Sequence, residues 1–207
     1  PAISVHGDPM FKLNGEKTAQ HFWVKEGSLT PLLRWKTDHK HTMTLSGLTF
    51  SRPETGNQWF KQLVLSQDDK VVLDMVARDL RDAPDDVNRI KITRDASRLA
   101  SGDIEIDNDL VQVNVGGIHF TVRPSDAAKF DTLREQLQYE HLNVRFDAGI
   151  PANVHAQGVF AQLAGAEPMT EETKALLVPP EQAGKDVFTS SQAKAATKAA
   201  TKSQKEK

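Results

Sequence analysis

The sequence predicts a mainly β fold, an antiparallel sandwich or curled meander of short strands with one or two short helices. Three observations carry this. Val111, Val113 and Val115, then Ile118, Phe120 and Val122, alternate with polar neighbours on either side of Gly116 and Gly117, the pattern of a tight hairpin whose turn needs positive φ. Residues 89–93 and 103–107 repeat the same period of two, which buries one face of a sheet and wets the other. Residues 59–65 and 71–76 are apolar-rich runs flanking a polar connection at 66–70, which predicts a second hairpin.

Upstream, residues 21–24, 32–35 and 42–45 read as further strands, each set off by glycine, proline or charged turn residues. Helix is expected at two places. Ser125 follows Pro124 and is placed to cap residues 126–138, where Phe130, Leu133 and Leu137 share a face and acidic residues occupy the first turn. A shorter helix is expected to start at Thr170, with Glu171 and Glu172 at its positive end. It would run through Leu176, Leu177 and Val178 to a stop at Pro179 and Pro180.

The 207 residues suit one domain with an appendage, and a core of that size folds without a covalent staple. Residues 1–184 are expected to form the β domain and residues 185–207 a Lys/Ala-rich flexible tail, because the tail lacks the apolar bulk to offset its own ordering. The tail carries six lysines against Asp186 and Glu206, a charge of +4, which leaves −6 for residues 1–184 out of a total of −2. An acidic body argues against specific nucleic-acid binding, since it would repel the phosphates that the tail attracts. Lys194, Lys198 and Lys202 recur every four residues and would share one face if an acidic protein or an anionic surface induced helix there. A solvated tail is the plainer reading.

The chain has no cysteine, which excludes disulfides, thiolate metal sites and cysteine nucleophiles. No apolar run approaches the roughly 20 residues of a membrane-spanning helix, and residues 1–5 do not resemble a targeting segment. A soluble chain is expected, with a secreted or organelle-lumen location slightly favoured and any targeting peptide already removed.

Candidate chemistry is sparse. There is no Gly-x-Ser-x-Gly elbow and no phosphate-cradling glycine loop, because Gly116 and Gly117 join two strands. Asp38, His39, Lys40 and His41 form the tightest grouping of metal-ligand types, yet no third ligand stands nearby and a polar turn is the preferred reading. The acids at 68–69, 85–86, 103, 107 and 109 lack the spacing of a calcium loop. No catalytic residue, cofactor or metal is therefore expected, and a site assembled only in space remains a third possibility. Trp23, Trp35 and Trp59 are candidate interaction residues that would stack on a carbohydrate or small ligand if exposed, although packing in the core and at its rim is the preferred use of aromatic residues on strands of this kind.

One stretch goes beyond generic β patterning. Gly7, Asp8, Pro9, Phe11, Asn14 and Gly15 form a motif in which Asp8 and Pro9 fix a turn, Phe11 and Leu13 point to one strand face, and Asn14 and Gly15 make the next bend. This resembles the opening of von Willebrand factor type D domains. The later order fits as well, with a strand at 104–106, the Gly116 and Gly117 hairpin, and residues 142–146 running toward 158–165. Met10 stands where the family has histidine, the family's cysteines are absent, and residues 162–166 lack the oxygen ligands of its calcium loop. What the resemblance implies is a noncatalytic module of adhesion, matrix or ordered assembly. The function expected is thus a structural or interaction protein that forms a homo-oligomer or docks in a matrix, coat, shell or adhesion complex, with an exposed edge strand as its route. The alternative is a carbohydrate or small-ligand module using surface tryptophans.

Overall fold

The computed structural model describes residues 2–6, 10–13, 19–24, 27–51, 58–79, 88–125 and 140–177. These form β1 (Ile3–His6), β2 (Met10–Leu13), β3 (Ala19–His21), β4 (Thr30–Lys36), β5 (Thr42–Ser51), β6 (Gln58–Gln67), β7 (Lys70–Ala77), β8 (Ile90–Arg94), β9 (Asp103–Asp107), β10 (Leu110–Val115), β11 (Ile118–Pro124), β12 (Leu142–Phe146) and β13 (Ala156–Gln157). Two short helices follow, α1 (Val159–Leu163) and α2 (Glu171–Lys174). The mainly β expectation holds, as one curled antiparallel sheet.

The sheet has two arms. One runs β3-β2-β1-β12-β11-β10-β9 and the other β13-β4-β5-β6-β7-β8, and they meet where Leu142 of β12 pairs with Phe60 of β6. Curling brings the arms face to face, so that Trp35 on β4 donates its indole N–H to Val115 O at the end of β10, at 2.9 Å. The alternation read from sequence sets the inward faces: Val111, Val113, Val115, Ile118, Phe120, Val122, Val144 and Phe146 are all buried.

Between the arms lies a phenylalanine cluster seeded by α1. Phe160 sits 5.9 Å from Phe11, 6.0 Å from Phe22 and 6.1 Å from Phe146, ring centroid to ring centroid. Edge-on and tilted contacts of this kind add to area burial. Phe11 of the N-terminal motif is thus a core residue, with Leu13 half-buried on the same face, as expected. Gly7, Asp8, Pro9, Asn14 and Gly15 lie outside the described residues, although the strands that flank them pair antiparallel, His6 with Met10 and Lys12 with Ala19.

Both expected hairpins form. Gly116 and Gly117 have φ of 60° and 83°, which gives the two-residue turn that matches strand twist. In the other, the connection is shorter than residues 66–70: the strands extend to Gln67 and from Lys70, leaving Asp68 and Asp69 at φ 49° and 65° to make the turn. Aspartate tolerates this left-handed region better than most side chains, which is why a turn without glycine closes here.

The helix expected at 126–138 falls outside the described residues. The one at Thr170 is present, with Thr170 Oγ1 accepting from Thr173 N at 3.2 Å and Glu171 and Glu172 in its first turn. It ends at Lys174, short of the expected Leu176 to Val178, because the next residues turn away to pair. Trp23 N–H donates to Leu176 O at 2.7 Å and Leu177 bridges Phe22. The strand expected at residues 21–24 lies earlier, as β3 at Ala19–His21, because Phe22 forms only an isolated bridge with Leu177, and the sequence pattern does not announce β1, β13 or α1. No helix among the described residues is long and apolar enough to cross a membrane.

Candidate functional site

Two of the three tryptophans are core residues, the preferred reading of aromatic residues on these strands. Trp35 is 1% exposed and Trp59 7% exposed, which corrects the surface-stacking expectation for both. Trp35 is fixed by its bond to Val115, while Trp59 packs between Phe50 at 5.6 Å and His141 at 5.7 Å. Their aromatic area is consumed by the core, the commoner use of tryptophan on a half-buried strand. Trp23 is half-buried beside Leu176. Lys194, Lys198 and Lys202 lie outside the described residues.

Several polar groups that resemble chemistry are structural. Glu140, 1% exposed, takes two hydrogen bonds from Arg89, at 2.8 and 2.6 Å, and one from the Ser125 hydroxyl. Arg89 Nη2 also donates to Ser125 O at 2.5 Å, and His141 N donates to Ser125 Oγ at 3.2 Å. A serine and a carboxylate meet here beside the backbone of His141, whose ring packs on Trp59 instead, and all three residues are buried. The cluster clamps the end of β11 to the start of β12 and ties both to the residue before β8.

Glutamine amides serve the same purpose. Gln58, fully buried, pairs with both polar groups of Val24, donating Nε2 to its carbonyl at 2.7 Å and accepting its N–H at 3.0 Å. Gln67 likewise spans Arg98 O and Ala100 N, at 2.9 and 3.0 Å. Each satisfies backbone groups that lie outside the strand ladders.

His39 and Lys40 are exposed in a turn, as the polar-turn reading expected, and His41 pairs instead with Asp68 at 2.6 Å. The Thr42 backbone N–H, and then the His41 ring, hold the Asp68 carboxyl below its ordinary 3.8. The Ser97 hydroxyl, and then Arg98, do the same for Asp95. Among the described residues, no three His, Asp or Glu side chains gather as a metal would need.

Two surface features remain. The first is a rim where both arms end. Among the described residues β8 pairs only with β7 and β9 only with β10. The two edges lie on one side of the molecule, since Ile90 N–H at the start of β8 donates to Asp109 Oδ1 in the turn after β9, at 3.1 Å. Their exposed side chains differ in sign: Lys91 and Arg94 on β8, Asp103, Glu105 and Asp107 on β9. Ile106 adds an apolar side chain, 39% exposed, to the acidic edge.

The second is a cavity of about 440 Å³ on the outer face of the β1, β12 and β11 strands, lined by Ser4, Thr121, Arg123, Asn143, Val144, Arg145 and Asp147. Register assembles it, because Ser4 and Thr121 both pair across to Arg145, and Arg123 pairs with Asn143. No sequence motif announces this grouping. The only available signal was the set of outward positions on strands whose inward positions are apolar. No protein-family model matches the chain, and no curated protein matches it.

Proposed function

We propose that this chain is a noncatalytic structural or interaction module that self-associates or docks in a larger assembly through strand edges that are unpaired among the described residues. The observation that carries the reading is the presence of two unlike edges on one rim, basic β8 and acidic β9, each paired on one side only among the described residues. Adding a strand to an edge supplies main-chain hydrogen bonds, and flanking charges choose the partner. Two β9 edges brought together would set acids opposite acids, which is destabilising. A β8 edge of one copy against a β9 edge of the next brings Lys91 to the face that carries Asp103, Glu105 and Asp107, with Arg94 on the other face of its strand adding to the positive charge of the edge. Such a contact is head-to-tail, so it closes into a ring or extends into a filament. The resemblance to von Willebrand type D domains supports the same class of function, in matrix, coat, shell or adhesion.

Sedimentation velocity over a concentration series, at low and high salt, tests it. Mass should rise with concentration and fall with salt, because exposed charges are screened within about 10 Å at 0.1 M ionic strength. A chain that stays monomeric throughout and captures no acidic or basic strand partner would count against the proposal.

A further inference from the structure

We infer that the cavity on the outer face of β1, β11 and β12 is a binding site for a small polar molecule bearing a single oxyanion group. This goes beyond the assembly reading and does not depend on it. The lining offers two guanidiniums, a hydroxyl floor and an amide, at a volume within the range of small-molecule sites, about 300–1,000 Å³.

Thr121 is 6% exposed although the strand alternation turns it outward, which places its hydroxyl at the cavity floor rather than on open surface. Ser4 and Asn143 flank that floor and bring a second hydroxyl and an amide. Arg123 lies two residues beyond Thr121, the partner of Arg145, so the two arginines are diagonal neighbours, about 7–8 Å apart at their bases. Two long side chains at that spacing reach one small anion together, in the forked geometry that suits carboxylate or sulfate.

The charge count sets the class. Arg145 Nε donates to Asp147 Oδ1 at 2.5 Å, so the lining of two arginines and one aspartate carries a single net positive charge. That matches a monoanion, a carboxylate or a sulfate ester, better than a phosphate monoester near charge −2. The hydroxyls and amide around it suit a polyol, which makes an acidic monosaccharide the simplest probe.

The test is a titration of the full chain, followed by amide and arginine side-chain NMR signals, with glucuronate, glucose 6-sulfate, glucose and inorganic sulfate. Glucuronate or glucose 6-sulfate should shift Thr121, Arg123 and Asn143 saturably, with neutral glucose inert and bare sulfate weaker. Arg123→Gln should weaken binding about tenfold, the loss of one charge-assisted hydrogen bond. Thr121→Val, which keeps the shape of the floor, should weaken it less while leaving the fold intact. Glucose binding as well as glucuronate, an Arg123→Gln variant with unchanged affinity, or no saturable shift with either acidic sugar would overturn the assignment.

Discussion

Arg89 meets Glu140 through two hydrogen bonds, Nε to Oε2 at 2.8 Å and Nη2 to Oε1 at 2.6 Å, and the carboxylate is 1% exposed while the arginine is 30% exposed. Residue 89 precedes β8 in one arm and residue 140 precedes β12 in the other, so this pair crosses from arm to arm. Removing the cation alone would strand a buried negative charge. Arg89→Met should therefore cost on the order of 3–5 kcal/mol in urea unfolding, whereas the double variant Arg89→Met with Glu140→Leu should recover most of the loss. A double variant as unstable as the single one would show that the clamp does more than neutralise charge.

Phe160 touches Phe11, Phe22 and Phe146, which come from β2, the segment after β3, and β12. Phe160→Ala should cost about 3–5 kcal/mol, and Phe160→Leu less, because leucine refills part of the space. Equal losses would mean that ring geometry matters more than volume.

Gly116 stands at φ 60°, and a Cβ there would come 2.9 Å from Thr37 Cγ2 and 3.1 Å from Trp35 Nε1. Gly116→Ala should cost at least the 1–2 kcal/mol or so of left-handed backbone, and it should also disturb the Trp35 bond to Val115 and redden tryptophan emission. Gly27→Ala shares a positive φ of 83° with nothing within 4 Å, so it should show the backbone cost without the spectral change.

Asp68 and Asp95 both have their carboxyl pKa held below 3.8 in the folded chain. A depressed folded value stabilises the protein above the unfolded pKa and ceases to do so as pH falls through the folded one. Stability should accordingly drop as pH goes below 3.8, and Asp68→Asn should flatten part of that slope in denaturation followed against pH. An unchanged slope would show that neither the Thr42 nor the His41 contact persists in solution.

How much of this was legible in the sequence follows from the range of the interactions involved. The hairpin at Gly116 and Gly117 is local, since alternating valines and two positive-φ glycines specify it without help from the rest of the chain. The α2 cap is local too, with Thr170 and its acidic first turn. By contrast α1 has Gly158 as its N-cap, with no side-chain capping bond and no acid in its first turn, so only packing of Phe160 among three other rings makes it a helix. The packing of strand tryptophans was legible, but what fixes Trp35 was not, because its partner is Val115, 80 residues away. The outer cavity draws on β1, β11 and β12, and the rim depends on which strands end each arm. Both are properties of register, which single-strand patterns do not encode.

If unlike edges on the rim direct assembly, exchanging their charges must redirect it. One variant carries Lys91→Glu and Arg94→Glu, the other Asp103→Lys and Glu105→Lys, all at exposed positions. The basic-edge variant should lose self-association when alone in sedimentation velocity, as should the acidic-edge variant. An equimolar mixture of the two should regain association, because the reversed β8 of the first faces the reversed β9 of the second. Assembly that persists in either variant alone, or a mixture that stays monomeric while the unaltered chain assembles, would contradict the account.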